Sequence, residues 1–279
     1  MRAISTILLC GLIWLLAQSS ATAQTGKLLP TASLAKEVGA LNGHLTASPP
    51  YASLESRRKT GLVVRDRISQ FIVDQIEAKP DITREQLRAQ LQAILCSSQY
   101  AECVSDHLPY VLTNAWFGPN GTAQFAVAYQ LSLGYMGPKG SITVLESYLV
   151  QNGTTVRRVA RGGNEFDAYV ANFQMVQQFF DPAEIWVLTW GTVQGASGRG
   201  LSGRATLYRV GTDAVTIAWS DARQFNVAAQ ANAIGWEFSY ADGPLLYGND
   251  PKPYFLDVYQ VDYQKRTFSR VVHYQHGEN

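Results

Sequence analysis

Seven carboxylates lie in or beside stretches that read as strands: Glu146, Glu165, Asp167, Glu184, Glu237, Asp242 and Asp257. Two carboxylates facing each other about 5–9 Å apart across a cleft can cleave a glycosidic bond. One acts as the acid and the other as nucleophile or base. Spacing along the chain does not pair residues on different strands, and an exposed charge is the ordinary role of such a residue. Aromatic residues form a second grouping. Trp236, Tyr240, Tyr247 and Tyr254 surround the turn-rich stretch 241–253, which also carries Asp242, Asn249 and Asp250. Ring faces cover the C–H surface of a sugar-like or apolar ligand while polar neighbours orient it. Trp236, Tyr240, Asp242, Tyr247, Asp250 and Tyr254 are therefore the candidate ligand-binding set. The competing role for strand aromatics is packing in the core.

Other motifs lead to less. Gly198-Arg199-Gly200-Leu201-Ser202-Gly203 has the letters of the dinucleotide fingerprint, but that loop must open a helix whose amino end holds a pyrophosphate. Here it runs into Arg204–Val210, which alternates as a strand, so it reads as a connection between strands. The histidines are His44, His107, His273 and His276. On a strand the last two point to opposite faces, and only Glu278 is a nearby carboxylate, so no metal site and no cofactor is expected. Neither a G-x-S-x-G elbow nor an H-E-x-x-H helix occurs, and no catalytic residue is assigned.

Residues 1–23 have the layout of a secretory signal: Arg2, an apolar run from Ile7 to Ala17, and the small-residue site Ala21-Thr22-Ala23. The expected mature chain is secreted or periplasmic, with no membrane span after cleavage. Cleavage removes Cys10 and leaves Cys96 and Cys103, an even pair in an oxidising compartment, expected to form a disulfide. With 23 Lys and Arg against 22 Asp and Glu, the chain has no broad positive field to attract nucleic acid or an anionic membrane. The partner it implies is an unidentified ligand or protein.

These residues must be positioned by two kinds of element. Ser33 caps a short helix ending at Asn42-Gly43, and an apolar stripe predicts a helix from about Ser53 to Lys79. Thr83 with Gln86 forms a capping box, and Ile82 with Leu87 a hydrophobic staple, opening a third helix that reaches about Ser97. After Pro109 the pattern turns to short alternating runs, with Asn-Gly turns at Asn120-Gly121 and Asn152-Gly153. The organising stretch is Ala183 to Ser220. Its first run sets Trp186, Leu188 and Trp190 on one face and Ile185, Val187 and Thr189 on the other, which predicts a mid-sheet strand covered on both sides. In its third run Val215, Ile217 and Trp219 share a face. The segment from Asp221 to Ala233 reads equally as a short capped helix or a weak strand.

The fold class expected is α+β, mainly β: a helical hairpin packed on an antiparallel β domain of about ten strands. A sandwich or curved sheet is the first arrangement and a propeller-like meander the alternative. The chain divides into a signal peptide (1–23), a helical segment (24–109) and a β domain (110–279). Its function reads as a non-enzymatic binding or structural module for a carbohydrate-like ligand or a protein. The rival is a secreted glycosidase-like hydrolase using paired carboxylates.

Overall fold

The computed structural model describes residues 31–42, 53–96, 112–117, 122–133, 141–151, 155–163, 172–177, 179–180, 184–194, 201–224, 227–232, 234–241 and 254–276. Three helices come first: α1 (Thr31–Asn42), α2 (Leu54–Ala78) and α3 (Arg84–Leu95). The side chain of Ser53 caps α2 by accepting from Ser56 N. Thr83 and Gln86 exchange both bonds of the capping box at the start of α3. Ile82 and Leu87 are both buried, as a staple requires.

Twelve strands follow in three four-stranded antiparallel meanders. The first sheet holds β1 (Leu112–Phe117), β2 (Ala123–Ser132), β3 (Ser141–Gln151) and β4 (Thr155–Gly162). The second holds β5 (Asn172–Gln177), β6 (Ile185–Gln194), β7 (Leu201–Val210) and β8 (Val215–Gln224). The third holds β9 (Val227–Asn232), β10 (Gly235–Ala241), β11 (Tyr254–Asp262) and β12 (Thr267–His276). The chain is thus mainly β with a small helical part, its antiparallel strands divided among three sheets that pack face to face. The ambiguous stretch after Asp221 is strand. β8 runs through Gln224, and β9 alternates with Val227, Ala229 and Ala231 inward. Asp221 does not cap a helix but pairs with Arg223 at 2.7 Å.

The layers follow from which faces are apolar. Leu34, Ile68, Phe71, Ile72 and Leu91 of the helices pack on Phe125, Val127, Tyr129 and Ile142 of the first sheet. The opposite face of that sheet, through Ala126, Ala128 and Leu145, meets Ile185, Val187, Tyr208 and Val210 of the second. The second sheet's other face, through Trp186, Leu188 and Leu207, meets Ala229, Trp236 and Phe238 of the third. β6 is therefore buried on both faces, as its double apolar alternation requires. Trp190 is half-buried against the same cluster as Trp186. On the outer face of the third sheet Val272 and Tyr274 are about half exposed.

The layers are also joined by polar contacts. Gln174 on β5 donates to Ala231 O and accepts from Ala231 N, both at 2.7 Å, which satisfies part of the free edge of β9. Where β4 meets β8, a Cβ on Gly162 would lie 2.7 Å from Val215 Cβ, so the approach depends on glycine. Gly61 likewise lets α2 close on Leu133, which a Cβ would meet at 2.5 Å.

One facing is corrected. A β-bulge between Leu207 and Tyr208 pairs Leu207 with Trp219 but Tyr208 with Ile217. Cross-strand partners share a face, so Trp219 turns toward the third sheet while Val215 packs toward the first. Strict alternation, which puts Val215, Ile217 and Trp219 together, fails because the bulge inserts Ala218.

Candidate functional site

The bulge in β8 helps to open a cleft of about 470 Å³ between the second and third sheets. One wall is Thr216, Ile217, Ala218 and Trp219 of β8, with Glu184, Trp186 and Arg209 from the same sheet. The other wall is Tyr259 of β11 with Arg266, Thr267 and Phe268 at the β11–β12 hairpin, and Phe180 closes one side. The exposed residues on β8 are possible because it is the edge strand of its sheet.

The floor is aromatic and rigid. Trp186 lies edge-on to Phe180 (5.7 Å between ring centroids) and to Phe268 (5.4 Å). Trp219 and Tyr259 are 5.0 Å apart, and Tyr259 stacks on Trp236 at 5.0 Å and 7°. Each edge or stacked pair adds about 0.5–1.5 kcal/mol beyond area burial, so the walls are held before anything enters. Trp219, Tyr259, Phe268 and Phe180 are only partly buried, which leaves ring surface toward the opening. Burial pushes the Tyr259 hydroxyl above its ordinary pKa, against the effect of a hydrogen bond with Trp219, so it remains a donor.

The polar groups of the cleft are few. Arg209 Nε is 3.5 Å from Glu184 Oε1. Glu184 Oε2 and Trp186 Nε1 are buried, and neither has a hydrogen-bond partner among the described residues. The Arg266 guanidinium lies 5.6 Å from the centre of the Phe180 ring.

The residues singled out from sequence are placed as follows. Trp236 is fully buried in the core, one layer beneath the cleft through its stack with Tyr259. Tyr240 is also buried, stacked on Phe255 with the Arg223 guanidinium 4.4 Å over its ring. Tyr254 begins β11, paired with Ala241 and His276. Asp242, Tyr247 and Asp250 lie outside the described residues, as do Glu165 and Asp167. Trp236 and Tyr240 thus serve as packing rings. The cleft is instead built from Phe180, Arg209, Trp219, Tyr259, Arg266 and Phe268, which sequence reasoning did not select. A signal existed in the inward alternation of Tyr259 and Phe268, but which sheet they would face was not encoded locally.

The remaining carboxylates are enclosed or exposed. Glu146 is fully buried beneath α2. It accepts from Ser69 Oγ at 2.7 and 2.9 Å, from Tyr148 OH, and from Arg161 Nε at 2.5 Å. Burial, with the Glu146 charge beside them, drives the Tyr129 and Tyr148 hydroxyls well above their ordinary pKa. Asp257 is fully buried between the sheets, with Oδ1 2.5 Å from His273 Nδ1 and Oδ2 3.5 Å from Arg270. Glu237 is exposed on β10.

Among the described residues no cluster of three or more His, Cys, Asp and Glu could hold a metal, and no helix is long and apolar enough to cross a membrane. Cys96 is half-buried at the carboxyl end of α3, and Cys103 lies outside the described residues.

No protein-family model matches the chain. No curated protein matches it either. Among solved structures, the Bombyx mori GH32 beta-fructofuranosidase BmSUC1 aligns with a TM-score of 0.28 and 11% identity. The alignment covers 62% of this chain and 38% of that one, so the chain spans well under half of that protein. A likeness this low carries no statement about activity.

Proposed function

We propose that the chain is an exported, non-enzymatic binding module whose carbohydrate-like ligand lies in the cleft between the second and third sheets. The observation that carries this reading is the set of partly exposed ring faces of Phe180, Trp219, Tyr259 and Phe268 that line the cleft beside the exposed guanidinium of Arg209. A sugar stacks its C–H face on the rings and accepts with a hydroxyl from the exposed guanidinium of Arg209. Retention rather than cleavage is favoured by the carboxylate inventory. Among the described lining residues Glu184 is the one carboxylate, whereas glycoside hydrolysis of the usual kind takes two. Glu146 and Asp257, the other buried acids, are held by Arg161 and by His273 with Arg270. The signal sequence and a Cys96–Cys103 bridge belong to the same reading, in which the chain works outside the cytoplasm.

The test is calorimetric titration of the mature chain with neutral tetrasaccharides, beside the variant Ala218→Trp. Ala218 is exposed on the cleft wall, so an indole there fills the cleft without entering the core. Binding should weaken at least about tenfold with the melting temperature unchanged. Equal affinity in the variant would place the ligand elsewhere, and shortened sugars in the cell would establish the hydrolase.

A further inference from the structure

Arg266 has the one positive φ, 53°, among the described non-glycine residues. It ends the four-residue turn joining Asp262 to Thr267, where Asp262 Oδ1 accepts from Gln264 N and Lys265 N. The left-handed conformation favours glycine or asparagine, because a Cβ crowds the following carbonyl. Glycine would suit this turn better, so the side chain is retained at a conformational cost. Backbone outliers of this kind tend to collect where a side chain is used.

The charge around the cleft gives that side chain a use. Arg209 and Glu184 face each other at 3.5 Å and largely offset one another. Arg266 forms no ion pair among the described residues, is exposed, and meets the protein through the face of Phe180. A guanidinium over a ring face keeps N–H donors that suit a carboxylate or sulfate. Among the described residues the cleft therefore carries one unmatched positive charge at its rim, beside the rings.

We infer that the ligand is an acidic saccharide, carrying a carboxylate or sulfate, and that Arg266 is the residue that selects it. This rests on the saccharide reading of the cleft. The probes are tetragalacturonate against its methyl ester, and a dextran sulfate oligomer against the parent dextran oligomer, titrated calorimetrically at fixed ionic strength. The wild-type chain should prefer one acidic probe over its neutral partner by about tenfold or more, the usual worth of a charge-assisted hydrogen bond. The carboxylate and sulfate arms show which acid is read. In Arg266→Gly the preference should fall to within about threefold, while the melting temperature holds or rises because the turn is relaxed. Arg266→Gln should lose the preference equally with the side-chain bulk kept.

No preference in the wild type, or an unchanged preference in both variants, overturns the inference. Equal binding of neutral and acidic probes does so while leaving the saccharide reading intact. Failure of every probe to bind removes both.

Discussion

Replacing Arg161 with methionine probes the joint between the helices and the β sheets. Glu146 is fully buried on β3, and Arg161 on β4 supplies its closest charged partner while also reaching Ser69 and Asp66 of α2. Removing one member of a buried pair leaves a charge without its counterion, which costs about 3–5 kcal/mol. Here Ser69 and Tyr148 would remain on Glu146, and Arg158 stands 3.5 Å away, so the loss should lie near the lower end, about 3 kcal/mol. That is a large part of a domain's stability of roughly 5–15 kcal/mol. Ser69→Ala removes a neutral donor to a charged acceptor and should cost about 1.5–3 kcal/mol. Asp66→Asn touches an exposed carboxylate and should cost no more than about 1 kcal/mol. The double variant Glu146→Leu/Arg161→Met removes both charges and should recover much of the loss. Urea unfolding of the mature chain, followed by far-ultraviolet circular dichroism, gives all four values. A loss below about 1 kcal/mol for Arg161→Met would refute the buried-pair argument. A separate early helical transition would refute the docking of α2 on the first sheet as part of one cooperative unit.

The same joint has a pH dependence. Desolvation works against the Asp66 charge, but the hydrogen bond and charge of Arg161, aided by Arg65, hold its pKa below the ordinary carboxyl value. The unfolded chain therefore binds more protons in that window, so this contribution is present above the unfolded pKa of about 4 and is lost as pH falls through the lower folded value. Asp66→Asn should flatten the acid limb of the stability curve, and an identical limb in the variant would contradict this. At the other end of the layer, Gly162→Ala should destabilise by about 1–3 kcal/mol by overpacking against Val215. Val215→Ala should relieve most of it, and additive losses in the double variant would show that the two positions do not touch.

Much of the fold was legible because it is written in local chemistry. The capping box of Thr83 and Gln86, the staple of Ile82 and Leu87, and the two apolar faces of β6 each state their own structure. The strand at Val227–Asn232 was not, since alanines support helix and strand alike. What decides it is the tight space against the second sheet, together with Gln174 binding the backbone of Ala231. The site was less legible than the fold. Trp236 and Tyr240 look like ligand rings beside a turn-rich loop, yet the neighbouring sheet buries both. Trp219 reaches the cleft only through the bulge at Ala218, and Arg266 matters through a backbone angle that its residue type does not favour. Sheet-to-sheet facing is a long-range property, and alternation within one strand does not carry it.

Hydrogen exchange of the mature chain, with and without a saturating saccharide found by titration, tests the location of the site most directly. The account predicts slowed exchange in 216–219 and 266–268, the two walls of the cleft, and little change in β1 to β4. Protection confined to 241–253, with the cleft walls unaffected, would contradict it and return the binding role to the loop beside Tyr247.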